Sequence, residues 1–245
     1  AMEKLTSADI KWIRSMHDKS GRKETGCFII EGDKLVKEAL QQERLELVLI
    51  VTCTNVSEAP SLKATCAVKH CSPNEMQRIS TLKNSTEILA VLRMPKQVSP
   101  KIKQRVICLD NIQDPGNLGT IIRIADWFGI TSIIASDQTA DCYNPKTIQA
   151  TMGSIFRVSV SYVNLKEVLK DLNMPIYGAV MDGSSIQEIA MEPEGVLVIG
   201  NEGKGITEEV LPYLSHRISI PRIGGAESLN AGVACGIIVA KWNRL

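Results

Sequence analysis

The sequence predicts an α/β protein built as two successive units, the second of them on a parallel sheet. Three observations carry that expectation. Beyond residue 98, short continuous apolar runs alternate with helical patterns, as they do in strands that are covered on both faces. Glycine is unevenly distributed: only Gly21, Gly26 and Gly32 precede residue 98, and the other 14 of the 17 follow it. Between Arg93 and Pro100, two prolines among polar residues break every periodicity, which divides the chain into domains 1–97 and 98–245.

In the first domain the spacing predicts a helix near 6–17, a strand at Cys27–Glu31, a helix at 33–42 and a strand at Leu45–Thr52. A strand near 64–69, a helix after Ser72-Pro73 and a strand near Ile88–Arg93 complete a small α/β domain. In the second, the strands are Val106–Leu109, Ser132–Ala135, Val158–Val163, Ile176–Val180, Val196–Ile199 and Ile218–Ile220. No internal repeat or low-complexity tract interrupts them.

Composition narrows the function classes. With 44% hydrophobic and 22% charged residues over 245 positions, the chain can bury a core and is not disordered, collagenous or coiled-coil. The longest apolar stretch, Ala231–Ala240, is interrupted by two glycines and falls short of the roughly 20 residues a membrane-spanning helix needs. The charged start lacks a signal-peptide core. Seven cysteines, an odd number without a CxxC pair and with only three histidines beside them, predict a reduced cytoplasmic protein with no metal site.

The net charge of +1 conceals an asymmetry. Residues 1–97 carry 15 Lys+Arg against 12 Asp+Glu, whereas residues 98–245 carry 13 against 15. Lys11, Arg14, Lys19, Arg22 and Lys23 form a basic cluster that suits phosphates or a solvated helix face and loop.

Three segments at predicted strand ends carry the chemistry. The first, Asn111 to Arg123, leaves the strand Val106–Leu109 and opens a helix running to about Phe128. Asp-Pro-Gly is turn chemistry, and Asn117 is a candidate N-cap. Leu118, Ile121, Ile122 and Ala125 make the buried stripe, which leaves Gly119, Thr120, Arg123, Asp126 and Trp127 on the other side. Arg123 either projects toward the loop or simply pairs with Asp126. The second, Gly200-Asn-Glu202-Gly203-Lys-Gly205, follows the strand Val196–Ile199 and precedes a helix expected near Thr207. It is neither a Walker loop nor a dinucleotide fingerprint, and its glycines are those of a cofactor loop or of plain turns. The third runs from Ile220-Pro221 through Ser228-Leu229-Asn230 into the apolar helix 231–240, which must be buried on most sides, within the domain or against a second subunit. No G-x-S-x-G surrounds Ser228, so it is no hydrolase nucleophile.

In this order, the three segments resemble the three motifs of the SpoU/TrmH family of RNA ribose 2′-O-methyltransferases: Asn117 with Arg123, then Gly200-Asn-Glu202-Gly203-Lys-Gly205, then Ile220-Pro221 with Ser228-Leu229-Asn230. Residues 1–97 resemble the ribosomal-protein-like substrate-binding domain of many members. The resemblance implies a parallel-sheet α/β methyltransferase domain of the SPOUT class with a C-terminal trefoil knot, S-adenosylmethionine as cofactor, and a homodimer. It implies Asn117, Arg123, Glu202, Ser228 and Asn230 as the catalytic set. Gly200, Gly203, Gly205, Ile220 and Leu229 would border the cofactor, and Lys11, Arg14, Lys19, Arg22 and Lys23 would contact RNA. The family pattern is departed from in two places: Arg222 stands where Met is common, and Ala231-Gly232 follows Asn230, where Val-Ser-like residues are usual.

The implied reaction is 2′-O-methylation of RNA, with large-subunit ribosomal RNA the expected substrate. The alternatives are a transfer-RNA ribose methyltransferase and a non-catalytic RNA-binding or ribosome-assembly protein on the same fold. A charged guanidinium has no acceptor for a proton. Arg123 is therefore expected to clamp a phosphate and stabilise alkoxide charge, with Glu202 holding the glycine loop or Arg123.

Overall fold

A computed structural model describes residues 3–54, 66–97, 99–100 and 102–244. In chain order the first elements are β1 (Glu3–Lys4), α1 (Ser7–Ser15), α2 (Lys19–Thr25), β2 (Cys27–Glu31), α3 (Asp33–Leu40), β3 (Leu47–Thr52), β4 (Ala67–His70), α4 (Pro73–Ile79) and β5 (Ile88–Arg93). They are followed by β6 (Arg105–Asp110), α5 (Pro115–Trp127), β7 (Ser132–Ala135), α6 (Pro145–Thr151), β8 (Ser159–Tyr162) and α7 (Leu165–Lys170). The chain ends with β9 (Ile176–Ser185), β10 (Gly195–Gly200), β11 (His216–Ser219) and α8 (Ala231–Trp242).

The chain divides into two compact units: residues 1–96 with 143–156, and residues 97–142 with 157–245. The segment 143–156, expected in the second domain, belongs to the first unit because Ile148 of α6 and Phe156 complete an apolar layer there. In that unit a five-stranded mixed sheet has the order β1-β4-β3-β5-β2. Alternation along each strand feeds two separate cores. Ile29, Leu49, Val51, Leu89 and Val91 meet Ile10 and Ile13 of α1 and Met76 and Ile79 of α4. Phe28, Ile30, Ile50, Ala90 and Leu92 meet Leu35, Val36 and Ala39 of α3 together with Ile148.

Three expectations change in this unit. The strand expected near 64–69 is β4; positions 64 and 65 lie outside the described residues. The helix expected over 6–17 ends at Ser15, and a second helix, α2, follows it. At the junction a Cβ on Gly21 would lie 1.8 Å from the Ser15 carbonyl oxygen, so only glycine lets the two backbones come this close. The adjacent Arg22 is 2% exposed, and its Nη1 donates to the carbonyls of Met16 (2.9 Å) and His17 (3.0 Å). Arg22 therefore leaves the set of surface phosphate contacts, because its guanidinium is consumed in closing the end of α1. Arg22→Met is expected to cost about 2 kcal/mol in a urea melt, since it strands buried carbonyls that a charged donor now satisfies. An unchanged midpoint would show that the carbonyls find other donors.

The second unit is a six-stranded sheet, β11-β9-β10-β6-β7-β8, with every pair parallel. One face carries Val106, Cys108, Ile134, Val196 and Val198 against Leu165 and Leu169 of α7 and the loop residues Ile206 and Val210. The other strand positions, Ile107, Leu109, Ile133, Leu197 and Ile199, are also buried, as are Leu118, Ile121, Ile122 and Ala125 of α5. Gly119, expected on the outer side, is buried as well. Helix α8 lies against α5 and buries Cys235, Ile238 and Val239 while leaving Val233 and Ile237 exposed. The helix expected near Thr207 does not form; turns lead into a single 3-10 turn at Leu211–Tyr213. Pro212 lies within that short turn, and Asp110 captures the Thr207 backbone N–H. Among the described residues no helix is long and apolar enough to cross a membrane.

Candidate active site

In the parallel sheet of the second unit, β6, β10 and β11 end at Asp110, Gly200 and Ser219, and each releases one of the three segments from its carboxyl end. Asp110 and Gly200 are register partners, so the first two segments leave side by side. Ligands of parallel α/β sheets bind at such strand ends.

Helix α5 begins earlier than the expected cap at Asn117. Asp114 is the N-cap, Pro115 occupies the first helical position, and the Asp114 carboxylate accepts the Asn117 backbone N–H at 2.7 Å. Asn117 is thereby released from capping, and its side chain serves another purpose. Its Nδ2 donates to Glu202 Oε1 at 2.6 Å, and its Oδ1 accepts from Asn230 Nδ2 at 2.7 Å.

The two ends of this chain fix its direction. An ionised carboxylate can only accept, which orients the Asn117 amide with its nitrogen toward Glu202. Asn230 is the N-cap of α8, its Oδ1 accepting from the backbone of Gly232 (2.9 Å) and Val233 (3.2 Å), so only its nitrogen remains for Asn117. One residue from each of the three segments is thus locked into a single hydrogen-bonded line, Asn230 to Asn117 to Glu202.

The glycine loop is closed on itself. Asn201 and Gly205 exchange backbone hydrogen bonds of 3.1 and 2.8 Å, and Gly205 takes a φ of +71°. Gly203 and Gly205 are exposed. Beneath the loop, the buried Asp110 carboxylate accepts from the Thr207 backbone (2.7 Å) and hydroxyl (2.9 Å).

Arg123 stands six residues beyond Asn117 on α5, about 9 Å along the helix axis. It is exposed and makes no hydrogen bond or ion pair among the described residues. The Arg123–Asp126 pair does not form, because Asp126 accepts from Arg157 through Nε (3.0 Å to both oxygens) and Nη2 (2.7 Å). Nor does Glu202 hold Arg123; its partner is Asn117. Ser228 is exposed and makes no hydrogen bond among the described residues, and the whole stretch from Pro221 to Asn230 is exposed, with Leu229 at 46% and Ile220 half-buried at its start. Cys108 and Cys235 are fully buried, and burial pushes both thiols up, Cys235 to about 12, so neither is a nucleophile at neutral pH.

Of the basic cluster in the first unit, Lys11, Arg14, Lys19 and Lys23 are exposed, and Arg14 Nη1 reaches the Arg78 carbonyl at 3.2 Å. Four residues of the second unit were not foreseen: Asp110, Asn111, Asp114 and Asn201. Only Asp114 has a local signal, its place before a proline at the start of a helical pattern.

Residues 104–240 match the model of the SpoU rRNA methylase family. The chain belongs to that family. Residues 7–90 match the MRM3-like substrate-binding domain. A SpoU relative, the 23S rRNA (guanosine(2553)-2'-O)-methyltransferase RlmP of Bacillus subtilis, is 32% identical over 243 residues, covering 97% of both chains. Among solved structures, a TrmH-family protein from Porphyromonas gingivalis superposes with a TM-score of 0.89 at 34% identity, covering 100% of this chain and 99% of its own. An AdoMet-bound rRNA methyltransferase from Sinorhizobium meliloti gives 0.88 at 28%, covering 99% and 97%. The three segments read from the sequence lie within the matched residues 104–240.

Proposed function

We propose that this protein transfers a methyl group from S-adenosylmethionine to a ribose 2′-hydroxyl of large-subunit ribosomal RNA. The observation that carries this reading is the line Asn230–Asn117–Glu202, which joins all three SpoU motifs at the ends of parallel strands. RlmP, similar over nearly its whole length, supports ribosomal RNA as the substrate.

The residues present fit that cofactor. Between Ile220 and Leu229, the only hydrogen bond among the described residues is from Arg222 Nη1 to the Ala226 carbonyl. The remaining backbone donors and acceptors there stand open beside exposed Ile223 and Leu229, a mixed polar and apolar edge suited to a nucleoside. Gly200, Gly203, Gly205, Ile220 and Leu229 would hold it. When bound, S-adenosylmethionine supplies an electrophilic methyl group on a sulfonium.

The chain's own residues do the rest. Asn117, Ser228 and Asn230 orient the ribose and the cofactor, and Glu202 anchors the line at the glycine loop. Arg123, without a hydrogen bond or ion pair among the described residues, clamps the target phosphate and stabilises charge developing on the 2′-oxygen. The hydroxyl proton leaves to a phosphate oxygen or a water, since the guanidinium cannot accept it. Lys11, Arg14, Lys19 and Lys23 contact RNA phosphates from the first unit, while the second unit, residues 97–142 with 157–245, carries out transfer.

The enzyme works as a homodimer. Val233 and Ile237, one turn apart on α8, are 51% and 39% exposed, and Trp127 on α5 is 81% exposed, an apolar surface that a second copy would cover. The C-terminal segment is threaded as a trefoil knot, supported by its return from the edge strand β11 to α8, which packs beside α5 and β10. Its place is the cytoplasm, which seven cysteines outside any disulfide support.

The test is transfer of a radiolabelled methyl group to unmodified ribosomal RNA, followed by digestion to nucleosides. Label on a 2′-O-methylated nucleoside from 23S RNA is expected. Label appearing only on transfer RNA, only on a base, or not at all would overturn the assignment.

A further inference from the structure

Glu202 reaches Asn117 only if the glycine loop sits at a set height above the segment that leaves β6. A residue that neither composition nor motif singled out sets that height. Asn201, next to Glu202, donates through Nδ2 to the Asn111 carbonyl at 2.9 Å. Its Oδ1 accepts from the backbone N–H of Gly203 and of Lys204, both at 3.0 Å. One side chain therefore organises the loop internally and fastens it to the neighbouring strand end.

The anchor at the other end is rigid. Asn111 has a φ of +62°, a left-handed conformation that asparagine tolerates better than most residues. Ser136, just past β7, holds it there: its hydroxyl donates to Asn111 Oδ1 at 2.7 Å and accepts the Asn111 backbone N–H at 2.9 Å. The left-handed turn and the Ser136 bonds fix the Asn111 carbonyl that meets Asn201 Nδ2. Two consecutive loop residues thus tie to the two ends of one segment, Asn201 to Asn111 and Glu202 to Asn117.

We infer that Asn201 is a positioning residue: its bond to the Asn111 carbonyl holds the glycine loop at the height from which Glu202 engages Asn117 and the cofactor is gripped. The inference rests on the methyltransferase reading for the cofactor, and on geometry alone for the tether. Since the acceptor is a backbone carbonyl, the partner cannot be deleted, and the test varies Asn201. Asn201→Asp keeps both acceptor contacts to Gly203 and Lys204 but loses the donor. Asn201→Ala loses all three.

Hydrogen exchange of the Gly203 and Lys204 amides and calorimetric binding of S-adenosylmethionine are measured on the full chain. In Asn201→Ala, exchange at both amides should quicken by about tenfold and affinity should fall by about tenfold, the worth of one or two neutral hydrogen bonds. In Asn201→Asp, exchange at those amides should stay near wild type while affinity still falls by about tenfold, a separation that loop stability alone would not produce. Unchanged exchange in the β6 and β10 amides establishes that the variants are folded. Wild-type affinity in Asn201→Asp would overturn the tether and leave Asn201 as a turn-former. Absence of binding by the wild-type protein would instead overturn the methyltransferase reading, and the Asn201→Ala exchange result would then decide whether Asn201 orders the loop.

Discussion

Replacing Arg123 by alanine is expected to lower methyl transfer by about 10²- to 10³-fold, the range seen when a group that stabilises transition-state charge is removed. Thermal stability and S-adenosylmethionine affinity should stay at wild-type values. The reason lies in what Arg123 does not do. It is exposed, supports no ion pair or hydrogen bond among the described residues, and stands apart from the Asp126–Arg157 pair. No described residue depends on it for a hydrogen bond or ion pair, so a loss confined to the chemical step would identify it as a contact to substrate. Arg123→Lys should keep part of the rate, because an ammonium still offsets negative charge but cannot match a phosphate with a planar fork. Single-turnover transfer at saturating cofactor checks both. An Arg123→Ala rate within a factor of about three of wild type would remove Arg123 from the mechanism.

The second large effect is expected at Gly200. A Cβ there would lie 2.4 Å from the Gly205 carbonyl carbon and 2.4 Å from the Ile206 nitrogen, both backbone atoms that no side-chain rotation can move aside. Gly200→Ala must therefore open the loop and break the Asn201–Gly205 backbone pair. Overpacking of this kind costs about 1–3 kcal/mol. Calorimetry should detect no cofactor binding by the variant, and the thermal midpoint should fall. Gly203→Ala is the control for stability: its Cβ would meet only Asn201 Oδ1, at 3.7 Å, an ordinary contact. The thermal midpoint of Gly203→Ala should stay near wild type, and equal midpoints for the two variants would refute the steric argument.

The residue pattern alone conveyed much of this protein. Continuous apolar runs announced the parallel strands β6, β7 and β10 at nearly their observed bounds, because a strand buried on both faces must be apolar throughout. Glycine-rich punctuation after β10, and Asn, Arg, Ser and Asn at fixed offsets elsewhere, marked the three segments that meet at the site.

Other features had no local signature. Arg22 looks like its basic neighbours in the sequence, and only the close approach of α2 to the end of α1, permitted by Gly21, turns its guanidinium inward. The pattern after the glycine loop reads as helical near Thr207, yet Asp110, 97 positions earlier, captures the Thr207 backbone and hydroxyl. Asn201 and Asn111 are 90 positions apart and ordinary in isolation.

What the sequence by itself determined is the set of chemical groups and the strand ends from which they leave, since apolar periodicity and turn residues are local properties. What only the tertiary structure decided is their pairing: Asn117 to Glu202 and Asn230, Asn201 to Asn111, Asp126 to Arg157. Hydrogen bonds between residues distant in the chain depend on which strand ends the sheet order makes neighbours, and short-range pattern carries no record of that order.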